Sequence, residues 1–112
     1  MRIVVIDSGY NGSSENGLDG ISIQKQGDEY CITKDIGDTE GHGTKVVDIL
    51  LKYGKNVQLF IVKIVTDNLD DDEHTDILMY ALEYVAAQIN PDIINRVVSE
   101  SRWINRQTGV AK

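Results

Sequence analysis

Gly41-His42-Gly43-Thr44-Lys45-Val46-Val47-Asp48-Ile49-Leu50 is the stretch that decides the fold. From Thr44 onward Val46, Ile49, Leu50 and Tyr53 recur at three- and four-residue spacing, which lines one face of a helix ending near Gly54. That register puts His42 at the helix N-terminus, where the positive end of the backbone dipole favours a neutral imidazole able to act as a base. Gly41 and Gly43 remove side chains on either side of the ring, so another backbone or a substrate can approach it closely.

Upstream, Arg2 to Ile6 is a β-branched run of the kind that forms a central strand covered on both faces. It stops at Asp7-Ser8-Gly9, which places Asp7 at the carboxyl end of the strand. In open α/β sheets that edge is where ligands and chemistry collect. Tyr10 to Gly20 is rich in Asn, Gly and Ser and reads as an exposed loop. Ile21, Ile23, Tyr30 and Ile32 alternate with polar residues around Gln26-Gly27, as in a small peripheral hairpin. Lys34 to Glu40 is a polar connection into the histidine loop.

Downstream, Val57 to Val65 is nearly continuously hydrophobic and predicts a second central parallel strand. Six acids occupy the ten positions from Asp67 to Asp76, which invites a calcium reading. Their spacing does not fit an EF-hand loop, and no glycine fills the turn position. Acids in a helix's first turn meet the positive dipole, so the run is read as a solvated cap, with His74 at the surface. Ile77, Leu78, Ala81, Leu82, Val85, Ala86 and Ile89 form the apolar stripe of a helix over 75–89, ended by Asn90-Pro91. Asp92 to Asn95 reads as a third parallel strand. Strand, helix, strand, helix, strand in this rhythm predicts an α/β fold with right-handed crossovers and a mainly parallel sheet with helices packed on it.

At 112 residues, the chain is expected to form one domain with a modest core. Eighteen acids against eleven Lys and Arg give a net charge of -7, which repels nucleic acid and anionic membranes alike. No apolar run approaches the roughly 20 residues that cross a bilayer, and Met1 leads directly into the strand with no signal-peptide pattern. The single Cys31 forms no internal disulfide and sits in a strand-like stretch, as a half-buried side chain. A cytoplasmic location follows as the expectation.

An acid at a strand end followed 35 residues later by a histidine at a helix start suits a carboxylate that orients an imidazole. Val4-Val5-Ile6-Asp7-Ser8-Gly9, Gly41-His42-Gly43-Thr44-Lys45-Val46, Val62-Lys63-Ile64 and Asp92-Ile93-Ile94-Asn95 resemble, in order and approximate spacing, the first half of a subtilisin-like serine protease. The resemblance implies a truncated, three-layer α/β/α subtilisin-like fold, with residues 1–95 as the N-terminal half of the peptidase domain and 96–112 as an irregular tail departing from the family. It implies that Asp7 is the orienting acid and His42 the general base of an Asp-His-Ser endopeptidase, with no cofactor.

The chain also departs from the pattern. Lys45-Val46-Val47-Asp48 stands where the family usually has a small residue or histidine and then Val-Ala-Gly. Arg96-Val97-Val98-Ser99-Glu100-Ser101 stands in place of the edge that pairs with peptide substrate. The nucleophile motif and the asparagine that donates to the oxyanion are not found. None of Ser8, Ser13, Ser14, Ser22, Ser99 or Ser101 lies in a small-residue turn into a helix, so the chain alone is expected to be inactive. A peptide or protein substrate is expected only once a C-terminal half completes the site. A sheet cut in mid-domain exposes a strand edge, which predicts a homo-oligomer, with Trp103 and Ile104 as candidate contacts. The alternative reading is a non-catalytic, dimeric binding or regulatory module on the same fold. A receiver-like phosphoacceptor would use Asp7 and Lys63, but it lacks the acidic pair beside the first strand and leaves Gly41 to Thr44 unexplained.

Overall fold

The computed structural model describes residues 1–12 and 18–96 of the chain. Five strands, β1 (Arg2–Asp7), β2 (Asp19–Gln26), β3 (Glu29–Thr33), β4 (Gln58–Ile64) and β5 (Ile93–Arg96), form one sheet in the order β3-β2-β4-β1-β5. Two helices, α1 (His42–Tyr53) and α2 (Asp71–Gln88), interrupt them. The pairings β1 with β4, β1 with β5 and β2 with β4 are parallel, and only the β2–β3 hairpin is antiparallel. The result is a small α/β domain on a mixed sheet.

Alternation along the central strands sorts their side chains into two cores. Val4 and Ile6 of β1, Ile21 and Ile23 of β2, and Val62 and Ile64 of β4 cluster with Ile77, Leu78, Ala81 and Val85 of α2. Ile3 and Val5 of β1 with Leu59 and Ile61 of β4 cluster instead with Val47 of α1 and with Tyr10. Branched side chains suit both pleated surfaces, which is why Val4, Val5, Ile6, Ile61 and Val62 are all buried.

The acidic run turns out to build a helix start. The Asp70 carboxylate accepts from Glu73 N at 2.8 Å, and Glu73 Oε1 accepts from Asp70 N at 3.2 Å. This reciprocal cap moves the beginning of α2 from the expected Thr75 back to Asp71. At the other end Asn90 takes a left-handed φ of 52° and its N–H donates to Val85 O, after which Pro91 cannot continue the helix.

Three expectations need correction. The hairpin is not peripheral, because β2 lies between β3 and β4 and contributes Ile21 and Ile23 to the core. Tyr30 of the edge strand stacks on Tyr80 of α2, with ring centroids 4.3 Å apart. The Tyr10–Gly20 segment is not wholly an exposed loop: Tyr10 is buried, its N–H donates to Ile36 O at 2.8 Å, and β2 begins at Asp19. Arg96 belongs to β5 and not to the tail. Trp103 and Ile104 lie outside the described residues. Among the described residues no helix is long and apolar enough to cross a membrane.

The α2 face gives a direct check on this packing. Ile77→Ala, at a fully buried position, is expected to cost about 2–5 kcal/mol in urea unfolding, whereas Met79→Ala, at a half-exposed one, should stay within about 0.5 kcal/mol.

Candidate functional site

Two backbone features bring the first turn of α1 onto the end of β1. Gly41 occupies the cap position with φ 91°, a left-handed value that side-chain-bearing residues rarely adopt. Gly43 packs against the backbone of Gly9 so closely that a Cβ there would overlap the Gly9 carbonyl oxygen. The helix starts at His42, as the sequence pattern predicts, and its first residue hangs over the carboxyl end of β1.

The two residues singled out by the sequence meet at this point. His42 Nδ1 lies 2.8 Å from Asp7 Oδ2 and 3.0 Å from Oδ1. The Asp7 side chain is 2% exposed, while that of His42 is 62% exposed. An ionised carboxylate can only accept, so Nδ1 carries the proton, and in the neutral ring the lone pair is on Nε2. The acid is fixed from its other side by Ser8 N, which donates to Asp7 Oδ1 at 2.7 Å. Chemically, this is a held imidazole with one nitrogen available as a general base.

Around the pair lies a polar network that the sequence did not announce. Asp38, 5% exposed, accepts from Glu40 N (3.0 Å) and Gly41 N (2.9 Å) through Oδ1, and from Thr44 N (3.0 Å) and Thr44 Oγ1 (2.6 Å) through Oδ2. It is the capping side chain of α1, reaching in from three residues before the cap position, since Gly41 has none to offer. Burial alone would raise the Asp38 pKa. The hydrogen bonds from the Thr44 hydroxyl and the Gly41 amide, the Ser8 hydroxyl and the Thr44 amide outweigh burial and hold the carboxyl well below the usual carboxylate range. Asn11 closes the network, its Oδ1 accepting from Asp38 N at 2.8 Å and its Nδ2 donating to Asp38 O. An Asp two and three residues before the amides it caps is the signature of an Asx turn, and that spacing was the available clue.

Ser8 is buried, and its Oγ accepts from Gly43 N at 2.9 Å. Ser22 is buried on β2, opposite Lys63 of β4. Ser13, Ser14, Ser99 and Ser101 lie outside the described residues. Among the described residues, no hydroxyl is hydrogen-bonded to His42, and no three His, Cys, Asp or Glu side chains gather where a metal could sit. Lys63 is in register with Asp7 across β1 and β4, yet its ammonium donates to Gly37 O and Asp7 binds His42. Asn95 lies exposed on β5 beside Val5. A small cleft of about 110 Å³, lined by Ser8, Thr39, Glu40, Lys63, Thr66 and Asp67, opens at the same carboxyl edge. A larger hollow of about 560 Å³ opens at the opposite edge, near Arg2 and Gln58, and contains neither member of the pair.

Comparison with protein-family models, with curated proteins and with solved structures gives no match to this chain.

Because Asp38 stays ionised in the folded state to lower pH than in the unfolded chain, its contribution to stability is complete above the unfolded carboxyl pKa of about 4 and is lost as pH falls toward the depressed folded value. Urea midpoints measured from pH 5 downward should therefore fall more steeply for the native chain than for Asp38→Asn, which lacks this titration.

Proposed function

We propose that the chain supplies the acid–base half of a subtilisin-like serine endopeptidase, on the N-terminal part of a three-layer α/β/α domain. The observation that carries this reading is the contact, across 35 residues of chain, between His42 Nδ1 and the buried Asp7 carboxylate, the two residues that the family resemblance makes general base and orienting acid. Two further facts support it: the parallel placement of β1, β4 and β5, and the two helix-lined cores on alternate residues of the strands.

In the proposed reaction a serine hydroxyl supplied by a C-terminal half attacks the peptide carbonyl while His42 Nε2 takes its proton. The same nitrogen returns that proton to the departing amine, leaving an acyl-enzyme that water then hydrolyses. Asp7 holds the Nδ1–H throughout and offsets the charge of the imidazolium. Peptide or protein is the substrate class, and the chemistry draws on side chains alone. Among the described residues no hydroxyl is hydrogen-bonded to His42 for it to activate, and an acid–base pair without nucleophile and oxyanion donors yields little turnover.

A second reading, a dimeric binding or regulatory module without catalysis, is favoured by one specific feature. The strand β5 pairs only with β1 among the described residues, and Ile93 and Ile94 are 46% and 36% exposed on it. An unpaired edge with apolar side chains is a template for another chain.

A serine-directed fluorophosphonate probe separates the two readings. The pure chain should remain unlabelled; mixed with a C-terminal subtilisin-like segment bearing the nucleophile it should become labelled, and His42→Ala should abolish that labelling. Persistent failure to label in the mixture would leave the binding-module reading. Sedimentation at micromolar concentration should show a dimer or larger species, and a well-folded monomer would count against pairing through β5.

A further inference from the structure

We propose that Asp38 is the positioning residue of the Asp7–His42 pair: its carboxylate clasps the first turn of α1 in the one placement from which His42 Nδ1 reaches Asp7. The catalytic meaning of this rests on the protease reading above, but the geometry can be tested without it.

The imidazole is mostly solvent-exposed, and among the described residues its hydrogen bonds go only to Asp7. An exposed ring on a two-torsion stem is easily lost to other rotamers unless its Cα is held firmly, so the constraint must act on the backbone. Asp38 supplies it on both sides of His42. Oδ1 binds the amide of Gly41, the residue before, and Oδ2 binds the amide and hydroxyl of Thr44, two residues after. The carboxylate thus spans the turn like a staple, with His42 between its two points.

A second tie reinforces the first. Ser8 acts on both members of the pair, its main-chain N–H donating to Asp7 Oδ1 and its Oγ accepting from Gly43 N. The same hydroxyl is among the groups that favour the ionised form of Asp38. Ser8, which sequence reasoning could weigh only as a substitute nucleophile, therefore belongs to the frame. Asp38 is in turn held by Asn11 through its own main-chain N–H and C=O, so the clasp does not swing with the loop. Each bond to an ionised carboxylate is among the stronger kinds available to a protein.

The readout is the tautomer of His42, followed by nitrogen-15 NMR of the imidazole at a pH where the ring is neutral. In the native chain the Nδ1–H form should dominate, with a downfield, slowly exchanging Nδ1 proton. Asp7→Asn should lose that proton, which assigns the signal. Asp38→Ala should shift the ring toward the Nε2–H form that predominates in free histidine and should broaden or abolish the downfield proton, and Asp38→Asn should recover part of it. Thr44→Val, which removes one donor and keeps the side-chain shape, should give a smaller change in the same direction and serves if Asp38→Ala does not fold. Val85→Ala, destabilised in the α2 core and remote from the pair, should keep the native tautomer. A folded Asp38→Ala or Thr44→Val with the native tautomer intact would overturn the proposal, as would loss of the tautomer in Val85→Ala. If no peptidase activity is ever reconstituted, the protease reading falls while this result stands.

Discussion

Where α1 meets β1, backbone touches backbone. Gly43 rests on Gly9 with no room for a methyl group between them, and this contact sets how close the helix start can come to the strand end. Any larger residue would lift the first turn away from Asp7, and the hydrogen bond of 2.8 Å to His42 would have no geometry in which to form. The rest of the site follows from that approach: a strand that ends in an acid, a helix that begins with a base, and two glycines that let one sit on the other.

Bringing elements so close buries polar groups, and the molecule answers each one. Asp7 is almost fully enclosed, a costly position for a carboxylate unless it is paired, and it has the Ser8 amide on one oxygen and the imidazole spanning both. The cap residue Gly41 has no side chain to bind the amides at the start of α1; Asp38 accepts from Gly41 N and Thr44 N, and Ser8 Oγ from Gly43 N. The two acids play opposite parts with the same chemistry. One faces an exposed ring and orients it; the other faces inward and fixes the backbone that carries the ring.

The sheet explains why the site lies at the carboxyl ends of its strands. Parallel strands β1 and β4 end together at the carboxyl edge, where Asp7 and Lys63 stand in register, and the loops that follow converge there. β3 closes one side of the sheet as the outer strand of a hairpin tied to α2 by the Tyr30–Tyr80 stack. The β5 side has no such cover among the described residues.

The amino-acid sequence by itself determined the elements whose signals are local. Continuous β-branched runs marked β1 and β4 as central strands, the apolar stripe marked α2, and the order of Asp7 and His42 placed an acid at a strand end and a base at a helix start. Even the capping of α2 was legible in kind, since acids favour a helix's first turn, although the Asp70–Glu73 pair moved its start. Tertiary structure alone decided the rest. Alternation in Ile21 and Ile23 reveals a strand but not its neighbour, so the insertion of β2 beside β4 had to await the sheet. Asp38 looked like one more polar loop residue, because its role depends on the path by which residues 38–44 fold back on themselves. The Asp7–His42 distance, too, belongs to the docking of a helix on a strand: periodicity fixes which face a residue occupies, and only packing fixes how far apart two faces lie.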